Sequence, residues 1–100
     1  MEKLYNETLI RQYAVKYEIN EDLAVAIAKT ESDLQTNAKN PNSTASGLFQ
    51  FLDSTAQTYC VEKYQIMTSL KEKDDPELQT KCFMEIIRNE SDGYSHWNAS

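Results

Sequence analysis

Of the sixteen acidic side chains in this 100-residue sequence, Glu31 is the one placed where a carboxyl can do proton chemistry. It follows Leu23, Ala24 and Ile27 at helical spacing. At about 100° per residue this puts it on the apolar face of a helix, close to that helix's C-terminal end. Burial disfavours the ionised carboxylate. The negative end of the helix dipole disfavours it too. Both effects raise its pKa, so the group can hold a proton near neutral pH and serve as the acid that cleavage of a glycosidic bond requires. The same periodicity also fits a glutamate that merely closes the helix, exposed at the edge of the stripe. Other chemistries find no residues. One histidine, His96, and two cysteines do not make a multi-ligand zinc site. Two glycines, Gly47 and Gly93, do not make a phosphate-cradling loop. His96 has no nucleophile signalled beside it and reads as a surface residue. No metal and no cofactor is expected.

The elements that must position Glu31 are helical. Two Gly and two Pro in the chain, with no sustained alternation of apolar and polar residues, indicate an all-α fold. A first helix is expected from Leu4 to Tyr17, with Leu9, Ile10, Tyr13, Ala14 and Tyr17 as its stripe. Asn20 fits an N-cap, with Glu21 and Asp22 in the first turn of a second helix, Glu21 to about Ser32. A polar loop of about a dozen residues follows, from Asp33 to Ser46, long enough to suggest a functional role. After Gly47-Leu48-Phe49-Gln50-Phe51, Asp53 is expected to cap a third long helix carrying Ala56, Tyr59, Cys60 and Tyr64. Asp75-Pro76 reads as N-cap and first residue of a last long helix bearing Leu78, Cys82, Phe83, Ile86 and Ile87, with Gly93 marking its end. Tyr94 to Trp97 form a terminal aromatic patch.

Glu31-Ser32, the polar loop, Ala45-Ser46-Gly47-Leu48-Phe49-Gln50-Phe51 and then Ser54-Thr55-Ala56 together resemble the soluble lytic transglycosylase-type (SLT) domains of the lysozyme-like superfamily. The resemblance is strongest from Ile19 to Ala56. It implies an α-dominated lysozyme-like fold, four to five helices around a substrate groove, spanning residues 1–100 as a single domain. It implies that Glu31 protonates the β-1,4 glycosidic oxygen between N-acetylmuramic acid and N-acetylglucosamine in peptidoglycan. The resulting carboxylate then deprotonates the sugar's own 6-hydroxyl, giving 1,6-anhydro ends, or a water in the lysozyme (muramidase) variant. A non-catalytic glycan-binding module is the further alternative. Ser46 and Gln50 match positions that hydrogen-bond the sugar. Gly47 suits a turn, and Phe49 and Phe51 suit the core. A two-carboxylate hydrolase needs a second acid about 5–9.5 Å across the bond. Asp33 points to nearly the opposite helix face and Asp53 fits a cap, which favours the single-acid transglycosylase route.

The chain departs from the family at its C-terminal end. The Tyr-Asn-Ala-Gly stretch that places a tyrosine beside the catalytic glutamate in many members has no good match. Arg88-Asn89 lies in its place, and Gly93-Tyr94-Ser95-His96-Trp97-Asn98 is closer to shorter variants with an aromatic-Trp tail. Tyr94 and Trp97 can stack on a sugar ring; Trp97 can equally close the core. Cys60 and Cys82 fall on apolar stripes of two separate helices and fit either one disulfide, worth about 3 kcal/mol for a loop of this length, or two buried thiols.

The formal charge of −6 argues against nucleic acid as a partner and gives no pull toward anionic surfaces. No apolar run reaches the roughly 18 residues of a membrane span, and the N-terminus does not read as a signal peptide. A monomer acting on glycan strands outside the cytoplasm, secreted or in the periplasm or cell wall, is the expected setting.

Overall fold

A computed structural model describes residues 1–97; residues 98–100, and with them the Asn98 end of the aromatic tail, lie outside it. The described chain is helical, with only two isolated antiparallel bridges, Lys39 to Ser46 and Ser46 to Phe51. Helix α1 (Glu2–Tyr17) packs against α2 (Glu21–Ser32) and against α4 (Pro76–Asn89). Between α2 and α4 run a long loop, a single helical turn α3 (Asp53–Thr55), a π-helical segment (Ala56–Lys63) and a 3₁₀ turn (Leu70–Glu72); a second 3₁₀ turn (Gly93–Trp97) follows α4.

The helix ends follow local chemistry. Asn20 caps α2, its side-chain oxygen accepting from the Leu23 amide at 3.0 Å. Asp75 caps α4 by accepting from the Glu77 and Leu78 amides, with Pro76 as first helical residue. Both caps are those the sequence indicates. Ile10, Ala14, Ala24, Ala28, Leu48, Phe49, Phe51, Phe83 and Ile86 form the centre of the core, so Phe49 and Phe51 are indeed interior residues.

Three expectations are corrected. The third long helix is not an α-helix. After one α turn it widens to i→i+5 bonding, closed by the Tyr64 amide on the Tyr59 carbonyl, while Cys60's carbonyl takes the amides of both Ile66 and Met67. Asp53 is not its cap. Leu52 holds that position, and Asp53 opens the helix with its carboxylate on Lys73 Nζ at 2.7 Å. Gly93 does not end α4, which stops at Asn89. It begins the next turn, where a Cβ would come within 2.6 Å of the Ile86 carbonyl oxygen. The cysteines form one disulfide, Cys60–Cys82, which fastens the π-helical segment to α4.

Candidate active site

The apolar face of α2 is two adjacent stripes. Ala24, Val25, Ala28 and Ser32 are buried against the rest of the protein. Leu23, Ile27 and Glu31, spaced four apart, form the neighbouring stripe; Leu23 is 43% exposed, and Ile27 and Glu31 are half-buried. Glu31 therefore lies one stripe away from the core face the periodicity assigns it. That shift makes it a groove residue. Leu23, Ala26, Ile27, Thr30, Glu31 and Trp97 line a pocket of about 240 Å³. An adjoining pocket of about 390 Å³ shares Leu23, Ile27 and Trp97 and adds Tyr94 and Ser95. Together they form one mostly apolar groove; Glu31 belongs to the first pocket and Tyr94 to the second.

Among the described residues, the Glu31 carboxyl has neither a hydrogen-bond partner nor an ion pair. Its pKa is raised, and the cause is burial. The other two carboxylates weighed from the sequence are held elsewhere. Asp33, at the left-handed C-cap of α2, bonds Lys3 Nζ at 2.7 Å, which holds its pKa below the ordinary range. Asp53 is paired with the buried Lys73. Neither lines the pocket of Glu31.

The Gly-Leu-Phe-Gln segment is a tight turn closed by the Ser46–Phe51 backbone pair, with left-handed residues at both ends: Gly47 at φ 86° and Gln50 at φ 54°. Gly47 is required twice over, since a Cβ there would also collide with the Gln79 side chain. Three elements hold this turn. Ser32 Oγ donates to the Leu48 carbonyl at 2.7 Å. Gln79 Oε1 accepts from the Phe49 amide at 2.6 Å. Trp97 Nε1 donates to the Phe49 carbonyl at 2.7 Å.

With the glutamate, the serine beside it and the glycine turn joined in this way, the motif is a spatial unit, and its family can be stated. The family model described as transglycosylase SLT domain matches residues 8–100. The chain belongs to the SLT domain family. No curated protein and no solved structure matches it.

The SLT domain brings together only part of the expected site. Glu31 and Trp97 share a pocket, and Tyr94 lies along the same groove. Trp97 packs edge-on against Phe51 and Phe83, as a residue closing the core does, and it also lines the groove. Gln50 lies outside this groove, its amide nitrogen donating to the carbonyls of Ala38 and Gly47 at 3.0 Å each. Ser46 lines a separate polar pocket with Lys73 and Asp74, and its hydroxyl donates to Asp74 at 2.6 Å. His96 is exposed.

Two contributors went unread in the sequence. Ser32 carried no role beyond its place in the motif. Gln79 is fully buried, and its amide nitrogen also donates to the carbonyls of Ser46 and Lys73. Its signal was present: Gln79 stands three and four residues before Cys82 and Phe83, a polar amide on the buried stripe of α4.

Proposed function

We propose that this SLT domain cleaves the β-1,4 bond between N-acetylmuramic acid and N-acetylglucosamine in peptidoglycan as a lytic transglycosylase, with Glu31 as sole acid and base. The observation that carries the proposal is a carboxyl without a partner among the described residues, in a pocket lined mostly by apolar side chains, with its pKa raised by burial. Burial raises the pKa of this carboxyl and so favours its protonated form, the form the first step needs. The carboxyl donates its proton to the glycosidic oxygen as the bond to the muramic acid anomeric carbon breaks. The carboxylate left behind takes the proton of the same sugar's 6-hydroxyl, whose oxygen closes onto the anomeric carbon as a 1,6-anhydro ring. Glu31 regains its proton, and no water is consumed.

The groove favours this route over two-carboxylate hydrolysis because Asp33 and Asp53 are both committed to lysines away from it. Tyr94 and the groove-facing part of Trp97 offer faces for pyranose rings. Ser46 and Gln50 enter this reading through the turn they hold. Residues 1–100 act as one domain, a monomer, on glycan strands outside the cytoplasm. The disulfide suits an oxidising compartment. No helix among the described residues is long and apolar enough to cross a membrane.

Mass spectrometry of a peptidoglycan digest tests the product. Muropeptides lighter by one water than their reducing counterparts are expected. Reducing ends would instead make the domain a hydrolase. Glycan binding with no released muropeptides would make it a binding module.

A further inference from the structure

Two consecutive carbonyls connect the residue after Glu31 to another residue of the Glu31 pocket, Trp97. Ser32, the residue after the acid, donates to the Leu48 carbonyl at 2.7 Å. The next carbonyl, that of Phe49, receives the indole N–H of Trp97 at 2.7 Å. Trp97 then lines the pocket that holds Glu31, so the circuit closes on itself. The indole is fixed in two further directions, edge-on to Phe51 at 5.2 Å and to Phe83 at 4.7 Å between ring centroids.

We propose that Trp97 is a positioning residue for Glu31: the Phe49 carbonyl holds the indole, the neighbouring Leu48 carbonyl holds the serine next to the acid, and the indole so placed in the shared pocket keeps water from one side of the carboxyl. The inference rests on the proposed function only in taking Glu31 as the acid; the indole–carboxyl coupling is measurable without any activity. The titratable and charged groups around the pair are few. On α2, Lys29 and Asp33 flank Glu31 in sequence, and Asp33 is bound by Lys3 from α1. On the C-terminal turn stand Tyr94 and His96, the latter with its ring 5.8 Å from that of Trp97. Among the described residues, no charged side chain other than Glu31 lines the pocket.

The chain has a single tryptophan, so one indole N–H cross-peak in a ¹H–¹⁵N NMR spectrum reports on this wall. In the wild type this peak should exchange slowly with solvent and shift with pH, with a midpoint above the roughly 4.3 of an ordinary glutamate. Glu31→Gln should abolish that inflection, whereas His96→Gln should leave it in place. An inflection that survives Glu31→Gln, or a wild-type peak that does not titrate, overturns the proposal. Trp97→Phe keeps a ring against Phe51 and Phe83 and removes the N–H. It should move the alkaline limb of the activity profile at least about half a pH unit downward, as expected when water reaches a shielded carboxyl. A Trp97→Phe profile superposable on the wild type also overturns it. Undiminished activity in Glu31→Gln would instead defeat the acid assignment, and the NMR coupling would still be read independently.

Discussion

Glu31 has a stability signature separate from its chemistry. Its pKa is higher in the folded protein than in the unfolded chain because burial penalises the charge. The folded state therefore binds this proton more tightly. The favourable contribution is full below the ordinary carboxylate range and is lost as pH rises through the folded pKa. A glutamine at this position never ionises. We expect Glu31→Gln to melt no lower than the wild type near pH 4 and to gain on it as pH is raised toward about 7. Thermal melts across that range check the sign. Periodicity alone led to the raised pKa but placed the residue on the wrong stripe. Small residues such as Ala24 and Ala28 bring α2 close to its neighbours on one side, which leaves the larger Leu23 and Ile27 on the groove side. A count of apolar positions does not register that difference in size.

At the scale of elements, the site depends on a turn that no single helix could hold. Gln79 on α4 satisfies the Phe49 amide and the carbonyls of Ser46 and Lys73 from a fully buried position. Gln79→Leu should cost about 3 kcal/mol or more, because several buried backbone groups lose their partners at once. It should also lower activity, although Gln79 does not line the Glu31 pocket; melting and wall-clearing assays on the same preparation test both. Caps made the starts of α2 and α4 legible to the residue, since Asn20, Asp75 and Pro76 act locally, whereas the start of α1 at Glu2 and the end of α4 at Asn89 carry no such signal. The π-helical run at Ala56–Lys63 was not legible. Its apolar spacing fits an α-helix, and the wider ladder accompanies long-range constraints, a disulfide to α4 and two later amides on the Cys60 carbonyl. The turn's role was legible as a motif, but the partners that fix it come from 16, 30 and 48 residues away and no local pattern announces them.

For the whole molecule, 100 residues leave a small margin of stability, and one covalent link joins the π-helical segment to α4. Replacing Cys60 and Cys82 together by alanine should remove about 3 kcal/mol, read as a lower midpoint in urea against the oxidised wild type. The groove survives only if α2, the glycine turn and the C-terminal 3₁₀ turn stay in register, so activity should fall along with stability as that margin shrinks. The SLT family model spans nearly all of this arrangement, residues 8–100, and the chemistry proposed for it converges on one carboxyl. The most direct measurement is therefore wall clearing by purified Glu31→Gln beside the wild type, with circular dichroism confirming the same helical fold. Loss of clearing by a factor of about 100 or more, as for removal of an essential general acid, is the predicted result. Clearing at the wild-type rate by a folded Glu31→Gln variant would contradict the account.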